Sequence, residues 1–417
     1  MKILYVVHQF YPEFSSGTEK FLLNLSTAVQ RDAHFPEIVA YTFVEDEGFV
    51  RKRNLLIREY RYQGLPVTSI RHRKTPADIH FSCLNADVYK FALEFLQRKG
   101  GYDLVHIGHP MRLVSFAGAA RDMSLPYIVT LTDFWMLCPK ILLTTSEGTL
   151  CSGPEGGESC AGLCPEIQQA FIKDRLAHAR EILTGAQAVV SPSNFLAGIF
   201  KKEMPDVDLR IIPHGMEFRH LKSNLKRYGS NETLTIGYCG VLAPHKGVHL
   251  LLKAFLELNP KNCQLKLYGS CFHEQDYLRY LKKMAWGDQR IQFCEPYSEQ
   301  QVGDVLSDLD LLVIPSTCYE NYPLVLHEAL ACNVPVIASN IGGMAERIED
   351  SVNGFTFQVG DDKDLAARLK KVIDSPEILN ELKQGIAKCV PPRIEEEAYM
   401  YARLYRRVIE RQPPSRN

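Results

Sequence analysis

The sequence predicts an α/β protein made of two consecutive doubly wound domains. Short, uniformly apolar runs alternate with amphipathic stretches along all 417 residues. Such runs are typical of parallel strands whose two faces are both covered by helices. The alternation stops once, at a polar stretch over residues 220–232, and then restarts. Two domains explain this restart better than one large sheet does.

The first domain begins with a buried strand at Ile3–Val7, and further strands follow at Glu37–Phe43, Leu104–Ile107, Tyr127–Thr132 and Ala188–Ser191. Between them, Thr18–Gln30 and Asn85–Lys99 have the apolar spacing of amphipathic helices. We therefore place a first Rossmann-like domain at residues 1–218.

The second domain repeats the pattern, with strands expected at Thr233–Cys239, Gln264–Tyr268, Ile291–Phe293, Leu311–Ile314 and Val336–Ala338. We place it at residues 219–392. A helical pattern at Glu395–Arg411 follows Pro391 and Pro392, beyond the last strand–helix unit. We expect this tail, residues 393–417, to return to the first domain.

Composition excludes several classes of protein. Lys and Arg number 48 against 49 Asp and Glu, whereas a dedicated nucleic-acid binder usually has a basic excess. No apolar run approaches the ~18–20 residues that span a bilayer. The amino terminus lacks a signal-peptide cleavage site. The 12 Cys of the chain are therefore expected to be reduced thiols in a cytoplasmic protein.

The turns that follow the first strand of each domain contain glycine but no dinucleotide-binding fingerprint. The first turn contains Gly17, and the second runs from Gly240 to Gly247. Neither reads G-x-G-x-x-G, which disfavours a hydride-transfer enzyme.

The most informative segment is 315–330, PSTCYENYPLVLHEAL, which follows a strand and opens a helix. It is therefore expected at the carboxyl edge of the sheet, where α/β proteins bind ligands. We expect Asn321 to cap the helix and Pro323 to occupy its first turn. The amides of Leu324 and Val325 would then face outward at the positive end of the helix dipole, ready for a phosphate.

Two carboxylates flank these amides. Treating the segment as helical separates Glu320 from Glu328 by roughly 12 Å. That span suits a nucleotide diphosphate sugar, whose hydroxyl-bearing rings flank a charged centre. The alternative is a pair of solvated acids at a helix start. The paired glycines Gly342 and Gly343, after the next strand, favour the ligand site because they permit close backbone approach.

Taken together, these motifs resemble the retaining nucleotide-sugar glycosyltransferases of family 4. The strongest part is the Glu-x7-Glu segment with ENYPLVLHEALACNVPVIASNIGG, supported by FYPEFSSGTEKFLLNL, LTDFWMLCP, SPSNF, IIPHG, GVLAPHKGV and IPS. The resemblance implies the GT-B architecture, two Rossmann-like domains that face a central cleft. It also implies sugar transfer, with retention, from a nucleotide-diphosphate sugar to an acceptor hydroxyl in glycan, polysaccharide or glycolipid assembly. A GT-B sugar-nucleotide epimerase and a catalytically weak nucleotide-sugar-binding or scaffold protein are the alternatives.

The resemblance assigns the donor mainly to the second domain. It implies that Glu328 binds the ribose, that Glu320 faces the sugar, and that Lys246 and two helix amides hold the diphosphate. The donor-binding set is Gly17, Gly240, His245, Lys246, Ser316, Glu320, Asn321, Tyr322, Pro323, Leu324, Val325 and Glu328. The catalytic set is Glu320, Asp133 and Lys246. No protein nucleophile and no catalytic metal are implied.

This chain departs from the family pattern at two places. Val241 stands where the family often has Arg, and His245 is expected to compensate only in part. Thr132 stands where the family often has His before Asp133. Asp133 is interpreted as orienting an acceptor hydroxyl, contacting the donor sugar, or merely capping a strand end. His109 is a further acceptor-side candidate, or a structural imidazole.

Four of the Cys, Cys138, Cys151, Cys160 and Cys164, fall in one glycine-rich insertion. Four thiols can hold a structural zinc ion, which would organise a loop of low apolar content. The spacing lacks paired C-x2-C knuckles, so free thiols and disulfides stay open as alternatives.

Two basic runs lie in the first domain, at residues 51–53 and 71–74. They are interpreted either as solvated loops or as contacts to an anionic membrane, such as the inner membrane face, which would suit a lipid-linked acceptor.

Overall fold

The computed structural model describes residues 1–271 and 274–411. The last residues of the predicted tail, 412–417, lie outside the described residues. The chain divides into two compact units, which we call unit 1 (Met1–His214 with the segment from Ile394 onward) and unit 2 (Gly215–Arg393).

The strands of unit 1 are β1 Lys2–Val7, β2 Phe35–Tyr41, β3 Val50–Lys52, β4 Leu55–Tyr62, β5 Leu65–His72, β6 Leu104–Ile107, β7 Tyr127–Thr130, β8 Ala188–Ser191 and β9 Leu209–Ile211. They form one sheet in the order β3-β4-β5-β2-β1-β6-β7-β8-β9. Pairing is parallel except at the β3–β4–β5 edge. The sequence patterns did not predict that edge, because β4 is only partly buried and lacks a continuous apolar run.

The strands of unit 2 are β10 Leu234–Cys239, β11 Cys263–Tyr268, β12 Ile291–Cys294, β13 Leu311–Ile314, β14 Val336–Ser339 and β15 Gly354–Phe357. Their order is β12-β11-β10-β13-β14-β15, and every pair is parallel. Strand order reverses between β10 and β13, and in unit 1 between β1 and β6. A doubly wound sheet binds ligands at such a reversal, outside the carboxyl ends of the strands.

The helices are α1 Gly17–Arg31, α2 Ala86–Lys99, α3 Ser115–Asp122, α4 Glu158–Leu163, α5 Gln169–Gly185, α6 Asn194–Glu203, α7 Val248–Leu258, α8 Gln275–Met284, α9 Val302–Ser307, α10 Leu324–Ala331, α11 Gly342–Arg347, α12 Asp362–Asp374, α13 Ile378–Ile386 and α14 Ile394–Glu410. Most connect consecutive parallel strands, as a crossover connection requires.

Helix α14 packs in unit 1, against α1 and the first strand. Tyr401 and Tyr405 on this helix are completely buried. The Tyr405 hydroxyl lies 3.1 Å from the Tyr5 hydroxyl and 2.8 Å from Nδ1 of His106. These buried polar contacts, together with the apolar face of α14, explain why the end of the chain belongs with unit 1.

Candidate functional site

In unit 2, three side chains meet at the carboxyl ends of β10 and β13. Lys246 Nζ donates a hydrogen bond of 2.6 Å to Oε1 of Glu320. Ser316 Oγ donates a second one, of 2.7 Å, to the same oxygen. Both members of the ion pair are partly buried, with 27% of the Lys246 side chain and 16% of the Glu320 side chain exposed. The site therefore holds an oriented carboxylate and an ammonium that still reach solvent.

Electrostatics keep both members of this pair charged. Burial disfavours the Glu320 carboxylate, but Lys246 and Ser316 outweigh it and hold the pKa of Glu320 below its usual value. Burial likewise opposes the charge on Lys246, yet the Glu320 carboxylate raises the pKa of Lys246. Glu320 is ionised and Lys246 is protonated at neutral pH.

His245 neighbours Lys246 in the turn that lacks the family arginine. Burial, and then the neighbouring Lys246, lower the pKa of His245, so its imidazole is neutral at pH 7. Its backbone carbonyl accepts a hydrogen bond of 2.8 Å from the amide of Thr317. Lys246 therefore carries the positive charge of this turn at neutral pH, and a contribution of His245 to donor binding stays a prediction.

Glycines bring the backbones of the site into direct contact. A Cβ on Gly342 would lie 2.6 Å from the Glu320 carbonyl oxygen, and one on Gly343 would lie 2.4 Å from that of Asn321. The Gly343 amide donates a hydrogen bond of 2.6 Å to the Glu320 carbonyl. Gly247, at φ +69°, leaves no room for a Cβ against Pro315. These contacts fix the loop that carries Glu320.

Helix α10 begins later than the sequence pattern predicted. Its N-cap is Pro323, with φ −68° and ψ 106°, and not Asn321. Residues 320–323 are therefore not helical, and the helical estimate of the distance between Glu320 and Glu328 does not apply. The amides of Leu324 and Val325 do lie in the first turn of α10, where backbone N–H groups have no intrahelical acceptor.

The remaining residues of the segment pack around α10. The Tyr322 ring stacks on His327, with ring centroids 3.8 Å apart, and His327 Nδ1 lies 3.0 Å from the Pro323 carbonyl oxygen. Glu328 is buried, with 7% of the residue exposed. Its charge contributes, after burial and Cys239, to raising the pKa of Tyr297.

Tyr297 is a neighbour of Glu328 that the sequence patterns missed. It hydrogen-bonds to Cys239, and its ring meets that of Tyr268 edge-on at 5.9 Å. Tyr297, Cys239 and Tyr268 all follow or end strands of the unit 2 sheet. The rule that ligands bind at strand ends, which located Glu320, could therefore have located Tyr297 as well. Gly240 directly follows Cys239, at φ +153°.

In unit 1, the acceptor-side candidates meet at the carboxyl ends of β6 and β7. His109 Nε2 lies 2.7 Å from Oδ2 of Asp133. Oδ1 of Asp133 accepts a hydrogen bond of 2.8 Å from the Trp135 amide, so the capping interpretation holds for that oxygen. His109 is 1% exposed, whereas 25% of the Asp133 side chain is exposed. The carboxylate, not the imidazole, is the group that reaches solvent, and the partly exposed Thr132 precedes it.

Gly17 also lies in unit 1, as the exposed first residue of α1. Ser16 is the N-cap of this helix. The Ser16 amide and hydroxyl both donate to Oε2 of Glu19. The side chain of Ser16 is therefore used by the helix cap.

Two family models match consecutive parts of this chain. The model described as "Glycosyltransferase Family 4" matches residues 15–219, and "Glycosyl transferases group 1" matches residues 222–388. The chain belongs to the group 1, family 4 glycosyltransferases. The family membership predicted from the sequence motifs is thereby confirmed, whereas retention of configuration stays a prediction.

Curated relatives match parts of this glycosyltransferase. It is 25% identical over 226 residues to the lipopolysaccharide 1,2-N-acetylglucosaminetransferase of Salmonella typhimurium. This alignment covers 50% of this chain and 56% of that protein. It is 30% identical over 286 residues to the D-inositol 3-phosphate glycosyltransferase of Mycolicibacterium smegmatis. This alignment covers 67% of this chain and 62% of that protein. The match thus spans little more than half the length of these relatives.

Solved structures show the fold of this glycosyltransferase. Sucrose-phosphate synthase from Thermosynechococcus elongatus matches with a TM-score of 0.71 and 17% identity, over 99% of this chain and 100% of that chain. Anabaena Alr3699/HepE in complex with UDP and glucose matches with a TM-score of 0.68 and 20% identity, over 98% and 100%. The predicted GT-B fold is confirmed.

The cysteine insertion of this glycosyltransferase holds buried free thiols. Burial, followed by the neighbouring thiols, raises the pKa of Cys160 to about 12, and burial raises that of Cys138. Over residues 1–271 and 274–411, no three or more His, Cys, Asp or Glu side chains form a group that could hold a metal ion. The zinc interpretation of Cys138, Cys151, Cys160 and Cys164 thus finds no assembled ligand set among these residues.

The basic runs of unit 1 are paired in part. Lys52 and Arg53 both contact Glu94, at 2.6 and 2.9 Å. Arg71 is buried and paired with Glu45. Arg51, Arg73 and Lys74 are exposed, so contact with an anionic membrane stays a prediction. Of the helices in the described part of the chain, none combines the length and apolar character of a membrane span.

Proposed function

We propose that this protein transfers a sugar from a nucleotide-diphosphate sugar to an acceptor hydroxyl, in the assembly of a glycan, polysaccharide or glycolipid. Family membership supports the class of reaction. The single observation that carries the proposal is the Lys246–Ser316–Glu320 constellation at the strand-order reversal of unit 2. It presents an ionised carboxylate and a protonated amine at the place where doubly wound sheets bind ligands.

Each part of this constellation has a chemical role toward such a donor. The Glu320 carboxylate accepts hydrogen bonds from sugar hydroxyls, and Glu328 from ribose hydroxyls. The first-turn amides of Leu324 and Val325 donate to the diphosphate, where the helix dipole favours negative charge. An ammonium group has three N–H donors, so Lys246 can keep one on Glu320 while another contacts a phosphate oxygen.

The proposed reaction proceeds with retention of anomeric configuration. The acceptor oxygen forms a bond to the anomeric carbon on the face that the diphosphate leaves, and the bond from that carbon to the phosphate oxygen breaks. The departing phosphate oxygen takes the proton of the acceptor hydroxyl, so no protein nucleophile is used. Lys246 and the helix amides stabilise the charge that develops on the diphosphate, which requires no catalytic metal.

A catalytically weak nucleotide-sugar-binding protein is the second candidate. Val241 and the neutral His245 leave the Gly240–Gly247 turn with Lys246 as its cation, and Thr132 replaces a family histidine. Both departures lower the expected rate of transfer, although neither removes the donor contacts of Glu320 and Glu328.

Incubation with a panel of nucleotide sugars and acceptors tests the proposal, with nucleotide release measured with and without EDTA. Acceptor-dependent release that EDTA leaves unchanged is the expected result. The anomeric configuration of the product, read by NMR, is expected to match that of the donor sugar. Binding without release would support the weak-binding alternative, and an isomerised donor would indicate epimerisation.

A further inference from the structure

A row of four ionisable side chains crosses unit 1 and ends at Asp133. His8 Nε2 lies 3.5 Å from Oε1 of Glu19, and the ring of His8 packs on the ring of His109 with centroids 4.0 Å apart. His109 in turn contacts Asp133 at 2.7 Å. Glu19, His8 and His109 are buried, so Asp133 is the member of the row that solvent and substrate can reach.

The protonation state of His109 follows from its two partners. The Met111 amide lies 3.2 Å from Nδ1 of His109 and donates to it, so Nδ1 is an acceptor without a proton. Nε2 therefore carries the ring proton and donates it to Oδ2 of Asp133. With the Trp135 amide on Oδ1, each carboxylate oxygen receives one donor and retains a second lone pair.

The rest of the row holds this tautomer in place. Burial above all holds the pKa of His8 well below its usual value, so the ring that packs on His109 is neutral. Arg112 donates a hydrogen bond of 2.9 Å to the His8 carbonyl and so fixes the end of β1. Burial raises the pKa of Glu19, while Ser16 opposes that rise. Buried side chains are thus packed against the ring of His109.

We propose that Asp133 binds the acceptor through a hydroxyl group, as its hydrogen-bond acceptor, and that His109 is a positioning residue that orients the carboxylate. This inference rests on the proposed function. It selects between the two ligand roles left open for Asp133, because the donor contacts proposed above lie in unit 2 apart from Gly17. It also specifies the acceptor chemistry, since a carboxylate that already receives two donors favours a hydroxyl and disfavours a carboxylate or phosphate at that point.

Two substitutions separate this role from a structural one. Asp133→Asn keeps the size of the side chain but places an N–H donor where an acceptor is needed. His109→Phe keeps a buried ring but cannot donate, whereas His109→Gln can still donate to Asp133. Asp174→Asn, at an exposed position of α5, is the matched control for the first change.

The test uses p-nitrophenyl glycosides as acceptor probes, and water alone if no glycoside accepts, with the donor that gives nucleotide release. We expect Asp133→Asn to lower kcat/KM for the acceptor at least tenfold, while the Kd for the nucleoside diphosphate stays within twofold. His109→Phe is expected to raise the acceptor KM, or with water to slow release, about fivefold to tenfold, and His109→Gln to recover most of this loss. Thermal unfolding of each variant measures stability separately.

Wild-type acceptor kinetics in Asp133→Asn would overturn the inference. So would equal losses in His109→Phe and His109→Gln that follow their Tm values, since a purely structural pair would behave in this way. If the wild type binds nucleotide but releases none with any acceptor, the proposed function fails, and the acceptor site fails with it.

Discussion

The candidate sites of the two units both lie at the carboxyl ends of central strands of their own sheets, but they are built from different side chains and contacts. In unit 2, a charged pair, Lys246 and Glu320, is held by loops in which glycines let one backbone touch another. In unit 1, Asp133 is held by a neutral imidazole and a backbone amide, with packed rings behind it. The first arrangement suits a ligand with concentrated charge, and the second suits a neutral hydroxyl.

The two sites also depend on different features of the chain. The unit 2 site depends on backbone contacts that admit no Cβ, so small steric changes reach the chemistry. The unit 1 site depends on the direction of hydrogen bonds between side chains of comparable size, so a change of donor to acceptor matters more than a change of volume. Substitutions that alter only one of these properties therefore test the comparison.

The largest effect is expected from Glu320→Gln. The change keeps the shape of the side chain but removes the charge that pairs with Lys246 and that we propose to face the sugar. We expect turnover to fall roughly 10²- to 10³-fold, as when a preorganised electrostatic contact is lost from an active site. Steady-state nucleotide release measures the loss, and Glu257→Gln at an exposed position of α7 is the control. Unchanged turnover in a folded variant would remove Glu320 from the proposed site.

Lys246→Met should weaken donor binding because the unit 2 turn then loses its cation. A hydrogen bond to a charged group contributes about 1.5–3 kcal/mol, so we expect the Kd for the nucleoside diphosphate to rise roughly tenfold to a hundredfold. Calorimetric titration measures this Kd, with Lys253→Met on the exposed side of α7 as the control. A Kd within twofold of the wild type would mean that the phosphates bind elsewhere.

Gly343→Ala tests the backbone contact. The new methyl group would lie 2.4 Å from the Asn321 carbonyl oxygen, so the loop that carries Glu320 must move. Overpacking of this kind costs about 1–3 kcal/mol of unfolding free energy. We expect a lower Tm and weaker nucleotide binding, whereas Gly198→Ala, within α6 and with nothing within 4 Å of its Cβ, should leave binding unchanged and the Tm equal or higher. Wild-type binding by Gly343→Ala would show that this contact does not position the site.

The smallest expected effect is on stability against acid. The pKa of Glu320 is lowered in the folded protein, so its contribution is present above its ordinary value of 4.5 and is lost as the pH falls through the folded pKa. Removing Lys246 leaves burial to raise the pKa of Glu320. The Tm deficit of Lys246→Met against the wild type should therefore be largest near pH 7, where the buried carboxylate is charged and unpaired, and should shrink as the pH falls, as measured by Tm from pH 3 to pH 7. Parallel Tm curves would contradict the pairing.

The comparison also explains what the sequence made predictable. The fold followed from continuous apolar strands, and the unit 2 site followed from one contiguous segment with Glu320, Glu328 and two glycines. The β3–β5 edge was missed because half-exposed strands carry a weaker pattern. The N-cap was misplaced by two residues because Asn321 and Pro323 are both acceptable at a helix start, and only the backbone conformation decides between them.

Of the side chains in the unit 1 row, only His109 and Asp133 were candidates from the sequence. His8, Glu19, His109 and Asp133 lie on four separate stretches of the sequence, and no spacing rule joins them. Their contacts arise because β1, β6 and β7 are neighbours in the sheet. Burial then distinguishes the two candidates, since His109 is enclosed and Asp133 is partly exposed. Likewise, only the neighbours of His245 reveal that it is neutral.

The most direct test of the proposed function compares nucleotide release by the wild type and by Glu320→Gln, side by side, across a panel of nucleotide sugars with acceptors. The proposal predicts acceptor-dependent release by the wild type from at least one donor, reduced at least a hundredfold in the variant while its Tm stays within a few degrees. Equal release by the two proteins would contradict the proposed site. Tight nucleotide binding by the wild type with no release from any donor would contradict the proposed reaction.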